Sequence, residues 1–145
     1  MDKLPATTKI MDYLARRDHS EKELRKKLSE FYTAEEIQEA IEIAKDKKWL
    51  ASTDSELLAF AEKVAGALHR KKKGIIFINH YLREKGLPPV KRDEVIELEK
   101  AKKLLKIKKF ELQKARDKAK RFLASRGFDF ETIGKTIKAA NDMDI

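Results

Sequence analysis

Ser20-Glu21-Lys22-Glu23-Leu24-Arg25-Lys26-Lys27-Leu28-Ser29-Glu30-Phe31-Tyr32-Thr33-Ala34-Glu35-Glu36-Ile37 holds two helix starts in quick succession. Ser20 with Glu23, and Thr33 with Glu36, place a hydroxyl and a carboxylate three residues apart. Each pair can satisfy the other's backbone N–H, the capping-box arrangement. The first start predicts a helix with Leu24, Leu28 and Phe31 on its buried face. The second predicts a helix with Ile37, Ile41 and Ala44 inward. Upstream, Ile10, Tyr13 and Leu14 form an i, i+3, i+4 stripe on a helix of roughly residues 6–17. Trp49-Leu50 closes this three-helix unit.

The same design recurs. Leu28-Ser29-Glu30-Phe31 precedes Ile37 and Ile41, as Leu123-Ala124-Ser125-Arg126-Gly127-Phe128 precedes Ile133 and Ile137. Leu82-Arg83-Glu84-Lys85-Gly86-Leu87 stands between them, ahead of Val95. Thr53 with Glu56 offers a cap for a helix over about residues 54–70, striped by Leu57, Phe60, Ala61, Val64 and Leu68. Gly74 interrupts a basic run and lets the chain turn. A helix bearing Ile78, Tyr81 and Leu82 should stop at a left-handed Gly86, with Pro88-Pro89 beyond. From Lys91 to Arg126 the apolar positions Val95, Leu98, Leu105, then Leu112, Ala115, Ala119, Phe122 and Leu123, read best as two helices meeting near residues 107–111, one long helix being the alternative. Gly127 ends the later one, Asp129 caps the last, Ile133 and Ile137 face inward, and the tail from Ala140 is expected to fray.

Repetition of this kind predicts an all-α chain: a tandem array of three helix-turn-helix-like, three-helix modules (1–51, 52–108 and 109–145), elongated and curved. Each module is close to the ~40-residue size below which a lone core is usually inadequate, so neighbours must support one another. Charged residues make up 41% of the 145, with five Gly and three Pro, a balance suited to helices with one apolar stripe. Without cysteine, disulfides and thiolate metal sites are excluded. No signal-peptide run and no stretch near ~20 apolar residues is present, so a soluble, cytoplasmic protein is expected.

Net charge is +9, unevenly spread. Residues 1–60 carry 11 Lys/Arg against 13 Asp/Glu, whereas residues 61–145 carry 23 against 12. Such a skew favours an anionic partner, nucleic acid or an acidic protein groove, although solubility alone also explains a lysine-rich helical surface. The candidate contacts are Arg16 and Arg17; Arg25, Lys26 and Lys27; Arg70, Lys71, Lys72 and Lys73; and Lys118, Lys120, Arg121 and Arg126. Phosphate binding needs cations rather than one fixed spacing. Each cluster also has a plain structural reading. Arg70–Lys73 suits the negative end of a helix dipole, Arg25–Lys27 lies among Glu21, Glu23 and Glu30, and Asp18 with His19 can fix the turn before Ser20. The aromatics Tyr13, Phe31, Trp49, Phe60, Phe122 and Phe128 are expected mostly in cores; Tyr81 and Phe77 are candidates for exposure.

Catalysis finds little support. His19, His69 and His80 are far apart in sequence, and His80 with Glu84 makes only two ligands of a zinc site. Phosphate-cradling and dinucleotide fingerprints are absent, and no nucleophile, base and orienting acid are arrayed. Neither enzyme activity nor a cofactor is expected.

Leu14-Ala15-Arg16-Arg17-Asp18-His19-Ser20-Glu21-Lys22-Glu23-Leu24-Arg25-Lys26-Lys27-Leu28 closely resembles the opening signature of the RecX family, bacterial regulators of the RecA recombinase. Arg70-Lys71-Lys72-Lys73-Gly74 running on to Ile78, Leu82 and Lys85-Gly86-Leu87 is similar to that family's central repeat. Lys118-Ala119-Lys120-Arg121-Phe122-Leu123-Ala124-Ser125-Arg126-Gly127-Phe128 with Ile133 is similar to its C-terminal repeat. Departures are Asp54-Ser55-Glu56-Leu57-Leu58-Ala59-Phe60, which lacks the family's arginine, and an unusually apolar Ile75-Ile76-Phe77. The resemblance implies a crescent of modules lying along the groove of a RecA–single-stranded DNA filament. It would restrain strand exchange, ATP hydrolysis and co-protease activity, either by blocking the groove or by favouring filament disassembly. A monomer is expected, with weak direct affinity for single-stranded DNA or for duplex DNA. A stand-alone helix-turn-helix DNA-binding protein is the alternative, and a helical scaffold for another acidic protein a second.

Overall fold

A computed structural model describes residues 3–108 and 112–143 of the chain. Among these, eight helices occur and no strand: α1 (Ala6–Arg16), α2 (Glu21–Leu28), α3 (Ala34–Asp46), α4 (Asp54–Arg70), α5 (Ile75–Glu84), α6 (Glu94–Lys108), α7 (Leu112–Ser125) and α8 (Phe130–Met143). They form tandem helical modules, and the chain divides into two compact units. One comprises Met1–Phe60 with Arg83–Pro88, the other Ala61–Leu82 with Pro89–Ile145.

In the first unit both expected capping boxes form. Ser20 and Thr33 each accept the amide three residues on, at 3.1 Å, and the Glu23 and Glu36 carboxylates accept the amides of the capping residues. Thr53 and Glu56 repeat the exchange at the start of α4. Each cap fixes where a helix begins and contributes about 1 kcal/mol. The starts then place Ile10, Leu24, Leu28, Ile37, Ala40, Ile41 and Ala44 in one core, closed by Leu50, with Tyr13 and Leu14 packed at its margin. Fully burying each large aliphatic side chain contributes about 1.5–3 kcal/mol.

Two aromatics expected inside lie elsewhere. Phe31 is 63% exposed and Tyr32 takes the core position. The helix ends at Leu28, and the amides of Phe31 and Tyr32 both turn back to the Leu28 carbonyl. Helical spacing no longer holds past that point, so the Leu28-to-Phe31 step does not stay on one face. The Tyr32 hydroxyl donates to the Leu4 carbonyl, satisfying its polar end. Trp49 lies just beyond the left-handed Lys48 (φ 60°) and remains partly exposed, with the Lys47 ammonium 5.5 Å from its ring centre.

In the second unit α6, α7 and α8 share a core of Ala101, Leu104, Leu105, Ala119, Leu123, Phe128, Ile133 and Ile137. The module boundary expected at 108/109 falls between α6 and the two helices whose core it joins; most of the junction expected at 107–111 lies outside the described residues. Val95 is 65% exposed, contrary to the expected stripe, while Glu97 and Lys100 are buried. Asp93 caps α6 by accepting the Ile96 amide, and this start turns Val95 outward and Glu97 inward. Glu97 is tolerated inside because it has partners there. The α7 helix is irregular at Ala115 (φ −129°, ψ 29°). Asp129 caps α8 through the Thr132 amide at 2.8 Å, as expected. That helix runs through Met143, past the Ala140 from which a frayed tail is expected, and Ala140 packs against the core.

Gly86 has the predicted left-handed conformation (φ 76°). Gly74 acts differently from expectation. The left-handed residue after α4 is Lys72 (φ 60°), and Gly74 is needed for room: a Cβ there would stand 2.3 Å from the carbonyl carbon of Gly127.

Candidate partner-binding surface

The expected contact residues divide into cations held by neighbours and cations that are not. At the α1–α2 turn, Arg16 is exposed at the end of α1. Arg17 donates to Glu23 and to the Asp18 carbonyl, both at 2.9 Å. Arg25 bonds Glu21 at 3.0 Å and Gln38 at 2.7 Å. Lys27 donates to His19 Nε2 at 2.9 Å and lies 4.9 Å from the Tyr13 ring centre. Lys26 is exposed.

These contacts build the turn. His19 is almost fully buried, and its Nδ1 lies 3.0 Å from the Arg17 carbonyl. An ammonium can only donate, so Nε2 must accept from Lys27 and Nδ1–H must donate to the carbonyl. The ring is therefore neutral, and burial, with the nearby Arg17 and Lys27 charges, holds its pKa below the usual 6.5 against the opposing Arg17 carbonyl bond. Glu23 also receives the Lys85 ammonium, 3.4 Å away. Burial pushes its carboxyl up, but the Arg17 bond, the Ser20 amide and Lys85 together hold it below the usual range. Ser20 Oγ, besides capping α2, donates to the Lys85 carbonyl. The most family-like block of the sequence is thus a hydrogen-bonded turn, and of its five candidate contact cations Arg17, Arg25 and Lys27 are engaged by neighbours.

In the second unit the sequence-distant blocks Arg70–Lys73 and Arg126 come together. The Gly74 amide donates to the Arg126 carbonyl at 2.9 Å, and the Ile76 amide to the Gly127 carbonyl at 2.9 Å. Two helix ends meet there back to back. Arg70 and Lys71 are exposed, Lys72 and Lys73 half-buried, with the Lys73 ammonium 4.7 Å from the Phe77 ring centre. Arg126 stacks its guanidinium over Phe122 at 5.3 Å. Lys118, Lys120 and Arg121 are exposed on α7. Tyr81 is exposed as anticipated, whereas Phe77 is half-buried, its ring 6.4 Å from that of Tyr81.

Sequence reasoning missed a buried polar node behind this turn. Glu97 accepts the Ile75 amide at 2.7 Å, capping α5, and its other oxygen faces the Lys100 ammonium. Lys100 also donates to the Lys73 carbonyl and to His69 Nδ1, each at 2.7 Å. Burial lowers the Lys100 pKa, opposed by Glu97. Burial, then the Lys100 charge, lowers that of His69. In sequence Glu97 and Lys100 read as an ordinary solvated i, i+3 pair; only the missing apolar residue on that face of α6 hinted otherwise.

No three potential metal-ligating side chains converge among the described residues, and none of the described helices is long and apolar enough to cross a membrane.

The model for the first three-helix domain of RecX matches residues 6–42, and that for the RecX third three-helix domain matches residues 93–137, together more than half of the chain. Among solved structures, a regulatory protein RecX superposes with a TM-score of 0.70 at 21% identity, over 92% of this chain and 71% of that one. RecX from Lactobacillus salivarius superposes with a TM-score of 0.73 at 19% identity, over 94% of both chains. At such identities these likenesses establish the fold. No curated protein sequence matches the chain.

Proposed function

The chain belongs to the RecX family of regulatory proteins, and from that membership we propose that it inhibits RecA, binding along the groove of the RecA–single-stranded DNA filament without catalysing a reaction. Occupancy of the groove would restrain strand exchange, ATP hydrolysis and co-protease activity. In this reading the protein acts in the cytoplasm, as a monomer.

The observation that carries this reading is the order of the RecX matches along one chain of tandem helical modules, joined to a basic second unit. Each module offers modest contacts, and docking of one raises the effective concentration of the next. Cations held in the α1–α2 turn serve its geometry. The contacts therefore fall mainly to Arg70, Lys71, Lys72, Lys118, Lys120 and Arg121.

RecA-catalysed strand exchange and LexA self-cleavage, measured as this protein is titrated in, test the proposal. Both should decline as the protein approaches stoichiometric coverage of the filament. No effect on either at that coverage removes the reading. The exposed basic surface of the second unit also suits a stand-alone DNA-binding protein. Strong, salt-steep affinity for naked DNA, unaltered by RecA and nucleotide, favours that second reading.

A further inference from the structure

A solvent-open cleft of about 250 Å³ lies between the end of α4 and the face of α6 in the second unit. His69, Arg70 and Lys72 line one side, Glu99 and Lys103 the other, and Lys100 is among its walls. Lys100 is spoken for by Glu97, His69 and the Lys73 carbonyl. Arg70, Lys72 and Lys103 make no ion pair among the described residues. Three uncompensated cations against Glu99 leave the cleft positive. His69 adds a donor of a different kind: its Nδ1 accepts from Lys100, so Nε2 carries the proton and the ring donates without charge.

The backbone holds Lys72 in the left-handed conformation, as it does Lys48 at the end of α3. The Lys72 amide bonds the His69 carbonyl at 2.8 Å, and the Lys73 amide bonds the Leu68 carbonyl at 3.0 Å. This is the Schellman ending, whose left-handed residue is usually glycine. The end of α7 follows that preference: Gly127 (φ 92°) makes the matching pair of bonds to Ala124 and Leu123. At the end of α4 a lysine holds the strained conformation instead, beside a positive cleft.

We propose that this cleft seats one backbone phosphate of a nucleic-acid strand. Arg70, Lys72 and Lys103 supply the charge, and His69 a neutral N–H. The planar guanidinium matches two phosphate oxygens, while the lysines act as point charges. The inference deepens the proposed filament-groove reading and rests on it for the source of the strand. The chemistry recognised is a phosphate group, which a free nucleotide also carries.

The test uses the full chain and fluorescein-labelled oligo(dT), with anisotropy followed across a salt series. Lys103→Gln and Arg70→Gln should each weaken binding about threefold or more, and each should flatten the slope of log affinity against log salt by about 0.7. Lys138→Gln on the exposed face of α8 should change neither. Lys72→Gly should raise the melting temperature yet weaken binding. Lys48 has the same left-handed conformation (φ 60°) at the end of α3, so Lys48→Gly should raise the melting temperature and leave binding unchanged. If Lys72→Gly and Lys103→Gln bind oligo(dT) as the wild type does, the cleft is not a phosphate seat. Saturable ATP binding lost in Lys103→Gln, with oligo(dT) affinity intact, reassigns the cleft to a free nucleotide and also overturns the proposal. A wild-type protein that inhibits RecA while the cleft variants bind DNA normally sinks the cleft alone. Cleft-dependent DNA binding with no effect on RecA sinks the inhibitor reading alone.

Discussion

The amide of Gly74 donates to the carbonyl of Arg126 at 2.9 Å, joining the α4–α5 turn to the α7–α8 turn through their main chains. Approach this close leaves no space for a side chain on either strand of the contact. A Cβ on Gly74 would stand 2.3 Å from Gly127 carbon, and one on Gly127 would stand 2.3 Å from Phe77 Cβ.

Gly74→Ala and Gly127→Ala should therefore each destabilise the protein by about 2–4 kcal/mol, since backbone rather than a flexible side chain must move. Gly66 and Gly134 provide the contrast. A Cβ on Gly66 meets nothing nearer than 3.7 Å, and on Gly134 nothing within 4 Å. Both lie inside helices, so alanine should stabilise by about 0.5–1 kcal/mol at each. Urea denaturation of the four variants checks the opposite signs.

Ser20 performs two tasks with one hydroxyl, accepting from the Glu23 amide and donating to the Lys85 carbonyl. It is also 2% exposed, whereas Thr33 and Thr53 are exposed caps. Thr33→Ala and Thr53→Ala should cost about 1 kcal/mol each. Ser20→Ala should cost about 2–3 kcal/mol, because the bond to the part-buried Lys85 carbonyl is lost together with the cap. Denaturation midpoints that rank the three equally would show that the Lys85 bond contributes nothing.

Helix starts were legible because capping is local: Ser20, Thr33, Thr53 and Asp129 act on amides within three residues, a distance sequence spacing can express. The left-handed Gly86 and the end of α7 at Gly127 were legible for the same reason. What failed depended on partners far along the chain. Phe31 and Tyr32 are neighbouring aromatics, and the Leu4 carbonyl that engages the Tyr32 hydroxyl is invisible from spacing. Apolar spacing marks Val95 as inward, and nothing local says that the Glu97 carboxylate will turn in to cap α5. The basic runs were plain as charge. Which of them are engaged was not, since Arg17, Arg25 and Lys27 are held by Glu23, Gln38 and His19 through the tertiary turn.

Glu97 and Lys100 form a buried pair whose members also satisfy main-chain groups of Ile75 and Lys73. Removing one partner strands the other's charge. Lys100→Met should destabilise by about 3–5 kcal/mol. Adding Glu97→Gln removes the stranded charge and still leaves an amide oxygen for Ile75, so the double variant should regain much of that loss. Strictly additive effects in the double-mutant cycle would mean the two side chains do not act as a pair.

Acid sensitivity should begin with the histidines. His19 and His69 both have folded pKa values below the ordinary 6.5, through burial first and then through adjacent cations. Each ring accepts a bond from a lysine at one nitrogen, so protonating it breaks that bond and sets two cations together. Below pH 6.5 the unfolded chain binds protons at these rings that the folded chain resists. Their contribution is therefore fully present above pH 6.5 and is lost as pH falls through the folded values. Glu21, Glu23 and Asp129, whose carboxyl pKa values are held down by ion pairs and hydrogen bonds, add a second loss at lower pH. Unfolding free energies measured between pH 7.5 and 5 should decline in the wild type. His19→Asn and His69→Asn, though less stable at pH 7.5, should each decline less steeply over the same range. Parallel curves for all three proteins would mean that neither ring is kept neutral by its lysine.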